Sequence, residues 1–244
     1  MKENRYDDKD FFDQYSKMTR STGGLTAAGE WHEFQRLLPD LRGKKVLDLG
    51  CGYGWHCRYA VEHGAQSVVG TDISEKMIEE AKIRTTNERI SYRKVAIEDI
   101  DFSPESFDLI ISSLAFHYVE SFEPVCKNLY WMMKRNGVLV FSVEHPIFTT
   151  YGNQDWVYDQ DGNKLHWPVD RYFSEGKREA VFLGQKVIKY HRTLTTYLCT
   201  LVNYGFSIRK VIEPMPTQEM METDEIMRDE LRRPMMLLVA AHKT

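Results

Sequence analysis

The tightest constraint in this chain is a rhythm between Lys44 and Val143. Apolar runs of strand length recur five times, spaced by segments of helical period. The strands are "KVLDLG", "SVVGTD", "ISYRKVA", "FDLIISS" and "VLVFSV". The helices are "WHCRYAVEHG", "EKMIEEAKIRT", with Ser74 as its N-cap, and "PVCKNLYWMMKRNG", with proline in its first turn and glycine past its end. Continuous apolar runs, without in–out alternation, belong to parallel strands covered on both faces. Right-handed crossovers then make the sheet doubly wound.

Three regions lie outside the rhythm. The first thirty residues are polar, and residues 1–43 predict a helical cap, with "AAGEWHEFQRLL" carrying apolar residues at helical spacing until Pro39. Residues 146–190 are aromatic and turn-rich, and "DQDGN" suggests a hairpin. They predict a small β-rich insertion after the fifth strand. The alternation then resumes with the helix "TLTTYLCTLVNYG", the strand "FSIRKVIEP", a helix over "MMETDEIMRDELRR" and the strand "MMLLVAAHK". The expected fold is a single α/β domain over residues 1–244: a mostly parallel, seven-stranded Rossmann-like sheet with helices on both faces.

Composition narrows the partners. The chain is 42% apolar and 28% charged, with net charge -4, so nothing favours nucleic acid or an anionic membrane. No apolar run approaches the roughly 20 residues of a membrane helix. The opening "MKENRYDDKDFFDQY" is too charged for a signal peptide. The four cysteines form no Cys-x-x-Cys pair and have no metal-finger spacing, as expected of reduced thiols in a cytoplasmic protein.

The turn after the first strand, "LGCGYGW", places Gly50, Gly52 and Gly54 at alternate positions. Glycine there permits positive φ and lets a ligand approach the main chain. In a doubly wound sheet this turn lies at the ligand-binding edge, beside the N-terminus of the next helix. Asp72 ends the second strand roughly 20 residues on, where a carboxylate can accept both hydroxyls of a ribose. Its alternative role, capping a helix, suits Ser74 better. A dinucleotide site would carry its third glycine where Trp55 stands, and Asp48 would repel a pyrophosphate. Both differences favour a ligand with an adenosine part and an amino acid part.

With those residues in place, the chain resembles the class I S-adenosylmethionine-dependent methyltransferases, of the small-molecule type with a methyltransferase domain 11-like core. "VLDLGCGYG", "VVGTDISEKMIEEA", "FDLIISSLAFHYV" and "MMKRNGVLVFSVEHP" look like their ordered motifs over roughly residues 44–146. The resemblance implies S-adenosyl-L-methionine as cofactor. It implies that Asp48 and the backbone of Gly50, Cys51, Gly52 and Gly54 hold the methionine end, and that Asp72 takes the ribose. Ile73 and Met77 would pack on the adenine, although Met77 also suits plain helix core. Where the family often carries an Asp for the adenine amino group, this chain has Ala96, so Glu98, Asp99 or the Ile97 amide must serve. Ser112, Ser113 and Leu114 would wall the methionine side. Tyr15 and Arg20 would close over the cofactor, or else lie on the surface.

For the methyl acceptor, the strand ends offer His117, Tyr118, Glu144 and His145, and the end of the insertion offers His191 and Arg192. Any of the histidines could be a general base, or could fix loop geometry through backbone hydrogen bonds. The aromatic residues Tyr151, Trp156, Tyr158, Trp167, Tyr172 and Phe173 suggest a lid over the acceptor; a mini-core or a dimer interface is the alternative. Charges in the insertion nearly balance, so the expected acceptor is small and partly apolar, handled by a monomer or homodimer. The competing functions are a non-catalytic module that binds S-adenosylmethionine or S-adenosylhomocysteine and a nicotinamide-dependent oxidoreductase.

Overall fold

The computed structural model describes residues 2–150 and 154–244. In chain order the elements are α1 (Lys9–Ser16), α2 (Thr19–Gly23), α3 (Trp31–Leu37), β1 (Lys45–Leu49), α4 (Trp55–Glu62), β2 (Ser67–Asp72), α5 (Glu75–Ile83), β3 (Ile90–Lys94), β4 (Phe107–Ser113), α6 (Phe122–Met132) and β5 (Met133–Glu144). Then follow β6 (Val157–Tyr158), β7 (Lys164–His166), β8 (Gly176–Phe182), β9 (Gln185–His191), α7 (Leu194–Asn203), β10 (Phe206–Ile212), α8 (Gln218–Thr223), α9 (Ile226–Asp229) and β11 (Met236–Lys243).

Seven strands form one sheet in the order β10-β11-β5-β4-β1-β2-β3. Strands β1 to β5 pair in parallel, and β11 runs antiparallel to both β5 and β10. This is the expected mostly parallel, seven-stranded Rossmann-like sheet. Strand alternation sends Leu47, Leu49, Ile110, Leu139 and Phe141 to one face, where α6 and α7 supply Val125, Leu129, Tyr197 and Leu201. Val46, Val68, Leu109, Ile111 and Val140 go to the other, against Trp31 and Phe34 of α3, Cys57 and Val61 of α4, and Ile78 of α5. The order of strands reverses between β1 and β4, and ligand sites of such sheets lie at that switch point.

Two boundaries differ from the sequence reading. Helix α6 ends at Met132, not at Asn136. Met133 already pairs with Phe107, and residues after it bulge before Val138 meets Leu109. Asn136 takes a φ of 61°, and a Cβ on Gly137 would lie 2.3 Å from Met133 Cγ, so the chain folds tightly back there. The helix expected over 220–233 is two short ones. Asp224 is extended, and its carboxylate accepts from the Ile226 amide, which ends α8 and restarts the chain as α9.

The insertion forms two separate hairpins, β6–β7 and β8–β9. Among the described helices, none is long and apolar enough to cross a membrane.

Candidate functional site

The glycine turn is built from hydrogen bonds that consume its own amides. Gly50 and Cys51 both donate to the Thr71 carbonyl, at 2.8 and 2.9 Å. Gly52 donates to Asp72 Oδ2 at 2.9 Å, and Gly54 donates to the Cys51 carbonyl at 2.8 Å. All three glycines have positive φ, at 70°, 50° and 71°. Their surroundings differ. A Cβ on Gly50 would lie 2.5 Å from Ala115 Cβ, and one on Gly54 would lie 2.1 Å from Tyr92 Oη, whereas Gly52 faces open space. Gly54 therefore serves helix–sheet packing, and it is not among the residues that line the cavity above the turn.

That cavity has a volume of about 540 Å³. At one end it is walled by Tyr15, Arg20, Gly50, Gly52, Asp72, Ile73, Met77, Ile97, Glu98, Ser113 and Leu114. Asp72 accepts from the amides of Gly52 and Ser74, each at 2.9 Å. Each oxygen keeps lone-pair capacity toward the cavity. Burial pushes its carboxyl up to about 6, and the two amides work against that rise. Ser74 caps α5 by accepting from the Met77 amide, and its hydroxyl donates to Asp7 at 2.6 Å. Asp7 also accepts from the Lys76 amide, which pins the N-terminal segment beside Asp72. Arg20 is held by both oxygens of the buried Glu30, at 3.1 and 2.6 Å, and donates to Ser113 Oγ at 2.9 Å.

Asp48 and Ser112 do not reach the cavity. Alternation along β1 turns Asp48 toward α4, where Cys57 Sγ donates to Oδ2 at 3.3 Å and Oδ1 has no partner. Burial pushes its carboxyl up to about 7. Ser112 is spent on the Leu49 carbonyl at 3.0 Å. Cys51 lines a small side chamber behind the turn instead. Asp99 is exposed and pairs with Lys2.

The other end of the same cavity holds His117, Tyr118 and Glu144. The Glu144 amide donates to His117 Nδ1 at 3.3 Å, so the neutral ring carries its proton on Nε2. Burial pulls the His117 pKa down to about 4. Burial works to raise the Glu144 carboxyl, but Lys189 and His117 and the hydrogen bonds from Lys189 and Gln154 hold it below its ordinary value. Lys189 is itself buried, on β9, and donates to both Glu144 Oε1 and Gln154 Oε1. Tyr6 and Tyr118 place their hydroxyls 3.5 Å apart, and burial keeps both phenols protonated.

Three candidates for this end are structural. His145 Nδ1 accepts from the Ile147 amide at 3.0 Å, and Nε2 sits 2.8 Å from Glu213. His191 has both nitrogens occupied, by Thr149 Oγ1 at 2.7 Å and the Tyr172 carbonyl at 2.8 Å. Arg192 is buried and donates to the carbonyls of Phe116, Val119 and Glu120, which shapes the loop after β4. None of the three lines the cavity.

The insertion's aromatic residues also turn elsewhere. Phe148 stacks on Trp167 at 4.9 Å, and Trp156 meets Trp167 edge-on. The buried Arg233 guanidinium lies over Phe148, Trp156 and Trp167. Tyr172 packs on His191, and Phe173 is exposed. Tyr151 lies outside the described residues. Of the described insertion, Phe182 alone lines the cavity. The rest of the lining includes Pro214, Pro216, Met227, Glu230, Met235 and Met236, together with Tyr6 and Met18. The sequence reading missed these. The signal was the run "PMPTQEMMETDEIMRDELRRPMM", whose prolines and methionines suit an adaptable apolar wall.

Comparison with known proteins agrees with this fold. A methyltransferase domain model matches residues 47–141. A crystal structure from Listeria monocytogenes, assigned to the S-adenosylmethionine-dependent methyltransferases, superposes with a TM-score of 0.86 at 56% identity, over 91% of this chain and 99% of that one. An S-adenosylmethionine-dependent methyltransferase from Mesorhizobium loti superposes with a TM-score of 0.84 at 40% identity, over 90% and 100%. An uncharacterised protein of Haemophilus influenzae is 37% identical over 98% of this chain and 96% of its own length.

Proposed function

This chain belongs to the S-adenosylmethionine-dependent methyltransferases, and from that premise we propose that it methylates a small, partly apolar molecule by in-line transfer. One observation carries the reading. A single cavity runs from Gly52 and Asp72, past His117, Tyr118 and Glu144, to the apolar wall of Pro214, Met227 and Met235. A module that only bound the cofactor would have no need of that second end.

The residues fit the cofactor on their own chemistry. Asp72 has lone pairs left for two ribose hydroxyls, and Gly52 leaves open the space a side chain would fill. Ile73, Met77, Ala96 and Ile97 supply an apolar slot for the adenine, and Glu98 is the acidic group beside it. When bound, S-adenosylmethionine would supply a sulfonium-activated methyl group: the acceptor lone pair bonds to the methyl carbon as the carbon–sulfur bond breaks, and neutral S-adenosylhomocysteine is the leaving group.

The protein's share is to hold that lone pair roughly 3 Å from the methyl carbon and to exclude water. Tyr6, Tyr15 and Tyr118 wall the passage between the two ends. His117, with its proton on Nε2, is a donor that orients the acceptor atom, not a base. Glu144 is the ionised group beside it and takes the proton where the acceptor carries one. The charged side chains at this end are already paired, Glu144 with Lys189 and Glu230 with Arg233. That pairing favours an acceptor without a strong charge of its own.

The test is an untargeted search of cell extract for metabolites that gain a labelled methyl group. The expected result is one small, weakly charged product. Tight cofactor binding with no labelled product would favour the binding-module reading, and label in protein or RNA would overturn the small-molecule acceptor.

A further inference from the structure

The cavity does not stop at Glu144. Strand β11 begins beside it, with Met236 opposite Glu144, and β10 ends at the same edge of the sheet, with Ile212 opposite Leu238. Two strand spacings, roughly 10 Å, therefore separate the end of β5 from the end of β10. In the strand order this stretch lies on the side of β5 away from Asp72. Pro214 and Pro216, just after β10, and Met235 and Met236, at the start of β11, line the cavity there. An acceptor whose reacting atom sits by Glu144 has that length of apolar wall beyond it.

Of the residues that the segment from Pro214 to Met236 gives to the cavity, all are proline or methionine except Glu230. Its side chain is 12% exposed, and that of Arg233 is 7% exposed. The two Glu230 oxygens accept from Arg233 at 2.7 and 3.3 Å. A buried ion pair is seldom worth more to a fold than apolar side chains of the same volume. Stability alone does not account for a carboxylate in this wall. The pair is also firmly braced. Phe148, Trp156 and Trp167 surround the Arg233 guanidinium, Asp229 pairs with Lys164, and Arg232 donates to the carbonyls of Lys164 and Leu165. None of these insertion residues lines the cavity, so the insertion holds Glu230 in place from outside it.

Chemistry narrows what meets that carboxylate. Arg233 takes one lone pair on each oxygen, and each oxygen has another left to accept with. The guanidinium cancels most of the charge, so a cation gains little there, and an anion has no hydrogen to give. A neutral hydroxyl or N–H is the fitting donor. We infer that Glu230 is a specificity residue: it accepts a hydrogen bond from a neutral donor at the end of the acceptor opposite the atom that is methylated, with Arg233 as its positioning residue. The acceptor is then an elongated molecule with an apolar stem and a polar group at each end. The inference rests on the small-molecule reading above and deepens it.

Two probes of nearly equal shape test it. In para-hydroxyethylphenol the chain ends in a hydroxyl, and in para-propylphenol it ends in a methyl. Calorimetry on protein saturated with S-adenosylhomocysteine should find the first bound about 10-fold more tightly, the low end of one hydrogen bond to a charged group. Replacing both partners, Glu230→Met with Arg233→Met, leaves no unpaired buried charge. The double variant should bind S-adenosylhomocysteine as the wild type does and should lose the preference for the hydroxyl. A wild type without that preference, a double variant that keeps it, or a saturated protein that binds neither phenol overturns the inference and leaves the cofactor reading standing. The labelled product from cell extract gives a check that needs no variant. It should carry a hydroxyl or N–H at the end opposite its new methyl group. A small product without one overturns this inference alone, and label confined to protein or RNA overturns the small-molecule reading with it.

Discussion

The two ends of the cavity are made in different ways. The floor of the Asp72 end is built by neighbours: β1, β2 and β4 lie side by side, their main-chain hydrogen bonds shape the turn, and Tyr15 and Arg20 of the N-terminal segment are laid over it. The Glu144 end is assembled from distant pieces. The β8–β9 hairpin brings Phe182, and the stretch before β11 brings Met227 and Met235. A sheet edge is rigid and leaves little room for variation, whereas an end made of loops can change its lining without disturbing the strands. The difference implies that each end can be damaged alone.

The severest way to break that division is at Lys189, which joins the β8–β9 hairpin to β5 through a buried pair with Glu144. Lys189→Met leaves a buried carboxylate without its partner, which costs about 3–5 kcal/mol. Urea unfolding at pH 7 should report that loss, and replacing Glu144 by leucine in the same chain should recover most of it. S-adenosylhomocysteine affinity should stay within about twofold, because the Lys189 side chain bonds only to Glu144 and Gln154 and to no residue at the Asp72 end. A parallel loss of affinity would show the two ends to be one unit.

Asp48 tests the floor beneath the turn. Its carboxyl titrates near 3.8 in an unfolded chain and about 7 when folded, chiefly through burial. The folded state therefore binds the extra proton more tightly. That favours folding fully below about pH 4, and the advantage is lost as pH rises through about 7. Asp72, raised to about 6, acts in the same direction. Wild-type stability should fall on the order of 3–4 kcal/mol across this window on Asp48's account. Asp48→Asn should flatten most of that fall, leaving the smaller Asp72 part, in denaturation curves between pH 4 and 8.

Asp72→Asn probes the same end by binding. It keeps one acceptor oxygen and removes the charge, so S-adenosylhomocysteine should bind about 1.5–3 kcal/mol more weakly by calorimetry. In the wild type the affinity should decline as pH drops below about 6, when Asp72 gains a proton and can no longer accept at both oxygens. An affinity flat from pH 5 to 8 would remove Asp72 from the ribose.

The same contrast explains what could be read from the sequence. Gly50, Gly52 and Asp72 were legible because turn chemistry and strand ends are local, and strand adjacency follows from the crossover rule. His145 and His191 were not separable from His117 by spacing, since all three follow strands or end a hairpin. Only three-dimensional partners, such as the Thr149 hydroxyl and the Tyr172 carbonyl at His191, show which rings are used up. The insertion's aromatic residues left a lid, a mini-core and a dimer interface all open, because a ring cluster reads alike whether it faces a ligand or a buried arginine, and Arg233 lies more than sixty positions beyond Trp167 in the chain. Asp48 misled because a strand-end carboxylate can face either side of the sheet, and only alternation against α4 decides which.

The finest test of the comparison lies in the wall that the sequence reading overlooked. Met227 is half-buried on the short helix α9 and lines the Glu144 end. Methionine can reshape around different partners because its unbranched thioether has several soft torsions. Met227→Ala removes part of that wall without opening the core, so stability should change little. With the acceptor found by label exchange, kcat/KM should fall roughly fivefold, or about 1 kcal/mol, the worth of a modest apolar contact. The fall should appear in the acceptor's KM, because an apolar wall holds ground state and transition state alike. The KM for S-adenosylmethionine should not move. If it rises in step with the acceptor's, the loop-built end also shapes the strand-built one, and the division argued from the sheet would have to be redrawn around the whole cavity.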